Sequence, residues 1–130
     1  MSRGYLLDTH AVLWWLFEAE LLSFHSFGIL SDPKIDIYVS AVTPMEISTK
    51  YRKGRLPGAA PIIGKFAEVA RAEGWKPLAI ELAHSDLAGS FSSPHRDPWD
   101  RLLAAQSRIE DLALVTSDSE MHTFDITTYW

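Results

Sequence analysis

Short apolar runs alternating with stretches of helical period constrain this chain more than any other feature. Residues 5–7 (YLL) form a run stopped by Asp8-Thr9-His10, after which Ala11, Val12, Trp15 and Leu16 recur at helical spacing. Residues 21–30 predict a second helix that halts at Ser31-Asp32-Pro33, and residues 35–40 (IDIYVS) have the β-branched and aromatic content of a second strand. A third helix is expected from about Thr43-Pro44 to Gly54, and a fourth over residues 60–72 with Gly74 as its stop. Residues 77–80 predict a short strand, with helical residues following from Glu81. Residues 90–97 (SFSSPHRD) read as a loop, 98–109 as a helix, 112–116 (LALVT) as a buried strand and 126–129 as a weaker closing strand. Strands alternating with helices of this length imply right-handed βαβ crossovers. The expected class is therefore α/β, with three layers and helices on both faces of a central, mainly parallel sheet of four or five strands. No repeat or linker interrupts the pattern, so residues 1–130 are expected to form one domain.

Composition narrows the function classes. The 130 residues contain no Cys, which excludes disulfides, thiolate zinc sites and cysteine nucleophiles. The longest apolar run, residues 11–17, is well short of the roughly 20 residues that span a bilayer. Asp8 and His10 break up the apolar stretch that a secretory signal would need. The expectation is a cytoplasmic protein with no membrane association. With 17 acidic and 12 basic residues the formal charge is −5, which by itself argues against a nucleic-acid partner.

The placement of the acids changes that reading. Asp8, Glu46, the pair Asp97 and Asp100, and Asp118 all stand where a strand gives way to a helix or where a helix starts. Thr43-Pro44-Met45-Glu46 has the spacing of a capping box, and Asp97-Pro98-Trp99-Asp100 repeats the grammar. Taken one at a time, such acids cap helices, each stabilising by about 0.5–2 kcal/mol. Taken together, they lie on one edge of a parallel sheet, because all its strands point the same way. Ligands bind outside that edge, where the strand order reverses. Carboxylates crowded there repel one another unless a cation neutralises them, and an all-oxygen set suits Mg²⁺ or Mn²⁺. The chemistry implied is phosphoryl transfer.

These stretches, LLDTHAVLWW at residues 6–15, SAVTPMEISTKYRKGRL at 40–56, HRDPWDRLLAAQ at 95–106 and LVTSD at 114–118, resemble in sequence and order a PIN-domain ribonuclease, specifically the VapC-type toxin of a type II toxin–antitoxin pair. The resemblance covers nearly the whole chain. It implies a metal-dependent endoribonuclease whose four acids correspond to Asp8, Glu46, Asp100 and Asp118, with Asp97 as the supporting cap. It further implies Asp8, Asp100 and Asp118 as the foremost ligands of Mg²⁺ or Mn²⁺. Glu46 would orient or deprotonate the attacking water, or complete a second metal site. RNA as substrate, a cognate antitoxin and a homodimer follow from the same likeness. The chain departs from the family at residues 17–30, where the usual Pro-containing turn between the first two helices is missing.

Substrate contacts are assigned to local positive charge, with Lys50, Arg52 and Lys53 at the end of the Glu46 helix and Arg96 beside the third acid. Thr9 and Thr116 offer hydroxyls to a phosphate or to the acids, although both residue types also form turns. Lys50 four residues after Glu46 is equally an ordinary intrahelical pair. The five His show no paired spacing on a helix and so form no metal set, with only His10 and His95 near the acids. The adjacent Trp14 and Trp15 cannot both face one core, which suggests an interface. Two rival readings are a Mg²⁺-binding phosphoreceiver module and a PIN-type DNA nuclease. The phosphoreceiver expects an Asp after the third strand and a Lys after the fifth, whereas Ile80 is followed by Glu81 and the final segment has no Lys.

Overall fold

The computed structural model describes residues 3–130. Five strands, β1 (Gly4–Leu7), β2 (Ile37–Ser40), β3 (Lys76–Leu78), β4 (Leu112–Val115) and β5 (Thr128–Tyr129), form one sheet in the order β3-β2-β1-β4-β5. Every pairing is parallel. The chain builds outward from β1 through β2 to β3, then returns to the other side of β1 with β4. Strand order therefore reverses between β1 and β4, where a crevice opens at the carboxyl edge.

Alternation along each strand produces two cores. Leu7 and Val39 face a cluster with Val12, Ile29, Ile47 and Trp75, whereas Leu6 faces Leu103, Leu114, Met121 and Phe124. The helices α1 (Thr9–Phe17), α2 (Phe24–Ser31), α3 (Val42–Arg52) and α4 (Phe66–Glu73) are distributed accordingly. Residues of α1, α2, α3 and α4 supply the first cluster, and α6 (Pro98–Glu110) supplies most of the helical part of the second, with α5 (Leu82–Ser90) packed against it. All four residues of β4 are buried, as a strand covered on both faces requires.

Three sequence expectations need correction. The helix expected over residues 21–30 is divided into a 3₁₀ turn at Ala19–Leu21 and α2, because the Ser23 hydroxyl accepts a hydrogen bond from Ser26 N–H at 3.0 Å and starts a new helix. The helix expected over 60–72 is a 3₁₀ segment, Pro57–Ile62, followed by α4. Pro61 has no N–H to donate, and Gly64 takes φ +75°, a left-handed conformation suited to glycine. Finally, Thr43 and Glu46 form no capping box. Helix α3 begins two residues earlier, with Ala41 as its N-cap and Ser40 Oγ accepting from Val42 N–H at 3.0 Å. The Thr43 hydroxyl is buried without a hydrogen-bond partner, and Glu46 is directed elsewhere.

The tryptophan pair is accounted for within the chain. Trp15 packs on the first core and donates to Glu73 Oε1 at 2.8 Å, while Trp14 packs edge-on against Trp130 at 5.7 Å. No helix among the described residues is long and apolar enough to cross a membrane.

Candidate metal centre

Each acid is delivered by the end of a regular element. Asp8 follows β1 and caps α1, its carboxylate accepting from Ala11 N–H at 2.7 Å, and its own N–H is bonded to Val115 O of the neighbouring β4. Asp97 caps α6 through Trp99 N–H at 2.9 Å and Asp100 N–H at 3.4 Å. That cap fixes the first turn of α6, from which Asp100 projects. Asp118 follows β4 and caps the short 3₁₀ segment Ser119–Phe124, accepting from Glu120 N–H at 2.9 Å. Capping is thus real for all three, and it places and orients carboxylates rather than competing with a site.

Asp8, Glu46, Asp97, Asp100 and Asp118 line one cavity of about 250 Å³, joined by Thr9, Lys50 and Thr116. His10, His95 and Glu120 complete most of its wall. Arg52, Lys53 and Arg96 are exposed and lie outside its lining. Glu46 is 3% exposed and takes hydrogen bonds from the Thr9 hydroxyl and the Lys50 ammonium, one on each oxygen. The Glu46–Lys50 pair is therefore both the intrahelical bridge and part of the site. Thr116 accepts from Asp118 N–H at 3.1 Å, bracing the loop that carries the fourth acid.

Electrostatics here are dominated by burial. The Asp8 carboxyl is pushed up to about 6 by desolvation, with the Thr116 hydroxyl and the Ala11 N–H partly opposing the rise. Asp100 is raised for the same reason, although His95 holds it back. The His95 imidazole is in turn raised by its hydrogen bond to Asp100. Six carboxylates and a single Lys line this cavity, a balance that favours binding of a cation.

The tightest donor set differs from the one expected. Ligand atoms of His95, Asp100 and Asp118 lie within 4.8 Å of one another. His95 Nε2 is 2.8 Å from Asp100 Oδ2, and its Nδ1 is 3.2 Å from Glu120 Oε2. Two carboxylates and an imidazole fit a divalent first-row ion, with Asp8 and Glu46 in the same cavity as further oxygen donors. Helical spacing of His pairs does not find His95 as a donor, because it works from a loop, and Glu120 carries no motif of its own. The available signal is proximity, since His95 and Glu120 each stand two residues from one of the candidate acids.

Comparison with known proteins bears on the family and the fold. Among curated proteins, Ribonuclease VapC22 of Mycobacterium tuberculosis is 28% identical over 121 residues, covering 91% of this chain and 89% of the relative. Among solved structures, FitAcB from Neisseria gonorrhoeae superposes with a TM-score of 0.61 at 15% identity, covering 97% of this chain and 96% of the other. A toxin-antitoxin complex from Klebsiella pneumoniae gives 0.57 at 12% identity, with 89% and 88% coverage. Both structural likenesses show the fold. The PIN domain family model matches residues 5–126, and the chain belongs to the PIN-domain family.

Proposed function

We propose that this protein is a VapC-type toxin, a metal-dependent endoribonuclease held in check by a cognate antitoxin. The observation that carries the reading is the convergence of Asp8, Glu46, Asp100 and Asp118 in one cavity at the β1/β4 switch point. Kinship to a ribonuclease over nearly the full chain and a fold shared with a chain of a toxin–antitoxin complex support it. The phosphoreceiver alternative is set aside by membership of the PIN family.

Asp8, Asp100 and Asp118 are the proposed ligands of Mg²⁺ or Mn²⁺, with His95 Nε2 held against the Asp100 carboxylate. When bound, the ion supplies a Lewis acid that polarises the scissile phosphate and eases loss of a proton from the attacking water. Glu46, held by two donors, accepts a hydrogen bond from that water and sets its direction, or completes a second metal site. Lys50 and the Thr9 and Thr116 hydroxyls lie in the cavity wall within reach of a phosphate, while exposed Arg52, Lys53 and Arg96 offer charge to RNA farther from the cut. The remaining proposals are a homodimer and a cytoplasmic location.

The test is incubation of the purified protein with single-stranded RNA and DNA in Mg²⁺, Mn²⁺ or chelator. Internal cuts in RNA that require the ion and vanish in Asp8→Asn are expected, as is growth arrest on expression that Asp8→Asn relieves. RNA cleavage surviving in chelator would overturn the mechanism.

A further inference from the structure

Arg101, beside Asp100 in α6, lies over the Phe91 and Phe124 rings at 6.0 and 5.9 Å and gives its hydrogen bonds to backbone carbonyls alone. Its Nε donates to Ala88 O at 2.7 Å, Nη1 to Ser93 O at 3.2 Å and His95 O at 2.7 Å, and Nη2 to Phe91 O at 2.6 Å. It forms no ion pair among the described residues. The segment gripped in this way, residues 91–97, is neither helix nor strand, so side-chain contacts rather than a backbone ladder fix its path. A planar fork with five donors can hold four carbonyls at once, one more than the three N–H groups of an ammonium can reach. The far side of the segment is tied by Ser93 to Thr123.

What the grip delivers is His95. Its ring lies edge-on to Phe124 at 5.7 Å and places Nε2 2.8 Å from Asp100 Oδ2. One helical turn therefore controls Asp100 twice, directly through its backbone and indirectly through Arg101, the loop and His95.

We propose that Arg101 and His95 form a positioning relay that sets the orientation of the Asp100 carboxylate in the metal centre. The inference rests on the nuclease reading above, and it assigns to both residues a role in presenting a ligand. Arg101 is a positioning residue, acting through His95. Partners that orient metal ligands typically change affinity or activity by about 10–100-fold when removed.

The decisive measurement is Mn²⁺ affinity by calorimetry beside RNA cleavage, for His95→Ala, Arg101→Gln and the double variant. Each single variant is expected to bind Mn²⁺ about 10–100-fold more weakly and to lose kcat more than KM. The double variant should be no worse than the weaker single, because both act along one path. His95→Gln, whose amide can still donate to Asp100, should recover most of the affinity. Losses that multiply in the double variant, or a His95→Ala protein that binds Mn²⁺ like wild type, would overturn the relay. Should Arg101→Gln fail to fold, Arg101→Lys takes its place in the cycle, retaining the charge without the fork. Asp100→Asn is the reference. If it cleaves RNA and binds Mn²⁺ normally, the nuclease reading fails. If it is inactive while His95→Ala and Arg101→Gln behave as wild type, only the relay fails.

Discussion

Helix α6 has a histidine–carboxylate pair near each end, His95 with Asp100 at 2.8 Å and His84 with Glu110 at 2.9 Å. The contacts are alike, and the surroundings make them different objects. At the carboxyl end of the helix, His84 Nδ1 accepts from Glu81 N–H at 2.9 Å, which leaves the proton on Nε2 to be donated to Glu110. Glu110 also meets Arg3 at 3.6 Å, so donors and acceptors balance and the ring is 1% exposed. That pair is a brace between α5 and α6. At the amino end, both ring nitrogens of His95 face carboxylates, with Asp118 and Asp8 in the same cavity. Negative charge is in surplus there, and a surplus can be resolved by a ligand. Charge balance around a pair, more than the pair itself, separates a structural contact from a reactive one.

Substitutions at the two ends should therefore separate activity from stability. The largest effect is expected for Asp100→Asn, with RNA cleavage falling about 10³-fold or more, several kcal/mol of lost transition-state stabilisation, while thermal unfolding shows no loss of stability. His84→Ala should do the reverse. Removing a buried ring and leaving the Glu81 N–H without its partner costs about 2–4 kcal/mol in denaturant unfolding, while cleavage per folded molecule stays at the wild-type level. A drop in specific activity comparable to that of Asp100→Asn would erase the distinction between the two ends.

Metal should stabilise only through the amino end. At 100 times its Kd, Mn²⁺ is expected to add about 2.7 kcal/mol to wild type and to His84→Ala, and none to Asp100→Asn.

The pH dependence of stability without metal sharpens the contrast further. Asp8 titrates near 6 when folded and near its ordinary 3.8 when unfolded, so between those values the native state holds a proton that the unfolded chain has released. Stability from this group is present below pH 4 and is lost as pH rises through 6, by an amount on the order of 3 kcal/mol. Asp8→Asn keeps a cap oxygen for Ala11 N–H, flattens that slope and unfolds at a higher temperature at neutral pH, at the expense of activity. A steeper slope in Asp8→Asn than in wild type would contradict this. The smallest effect is expected for Thr9→Val, which removes one donor from buried Glu46 and costs about 1 kcal/mol in unfolding.

The class of fold could be read from the chain because apolar period and punctuation are local properties. The run LALV between Asp111 and Thr116 reads as a strand buried on both faces, and Asp97-Pro98 marks a helix start without reference to anything else. The acids after the strands were readable for the same reason. Errors arose where two local signals competed. Thr43-Pro44-Met45-Glu46 has cap spacing, yet α3 starts at Val42, whose N–H goes to Ser40 Oγ, and Glu46 meets Thr9 and Lys50 instead, a contact that spans 37 positions to Thr9. His95 is placed near the acids by sequence, but its partners are Asp100 on the following helix and Glu120 beyond β4, neither of which a helical spacing rule can find.

By itself, then, the sequence determined the alternation of strands and helices, the absence of thiol chemistry and the placement of carboxylates at strand ends and helix starts, since each depends on neighbours within a few residues. The tertiary structure decided which carboxylates share a cavity, which histidine joins them and which braces α5 to α6, and that Arg101 grips a loop instead of facing the substrate. Those outcomes depend on the sheet order that brings β4 beside β1, and on burial and charge balance between residues far apart in the chain.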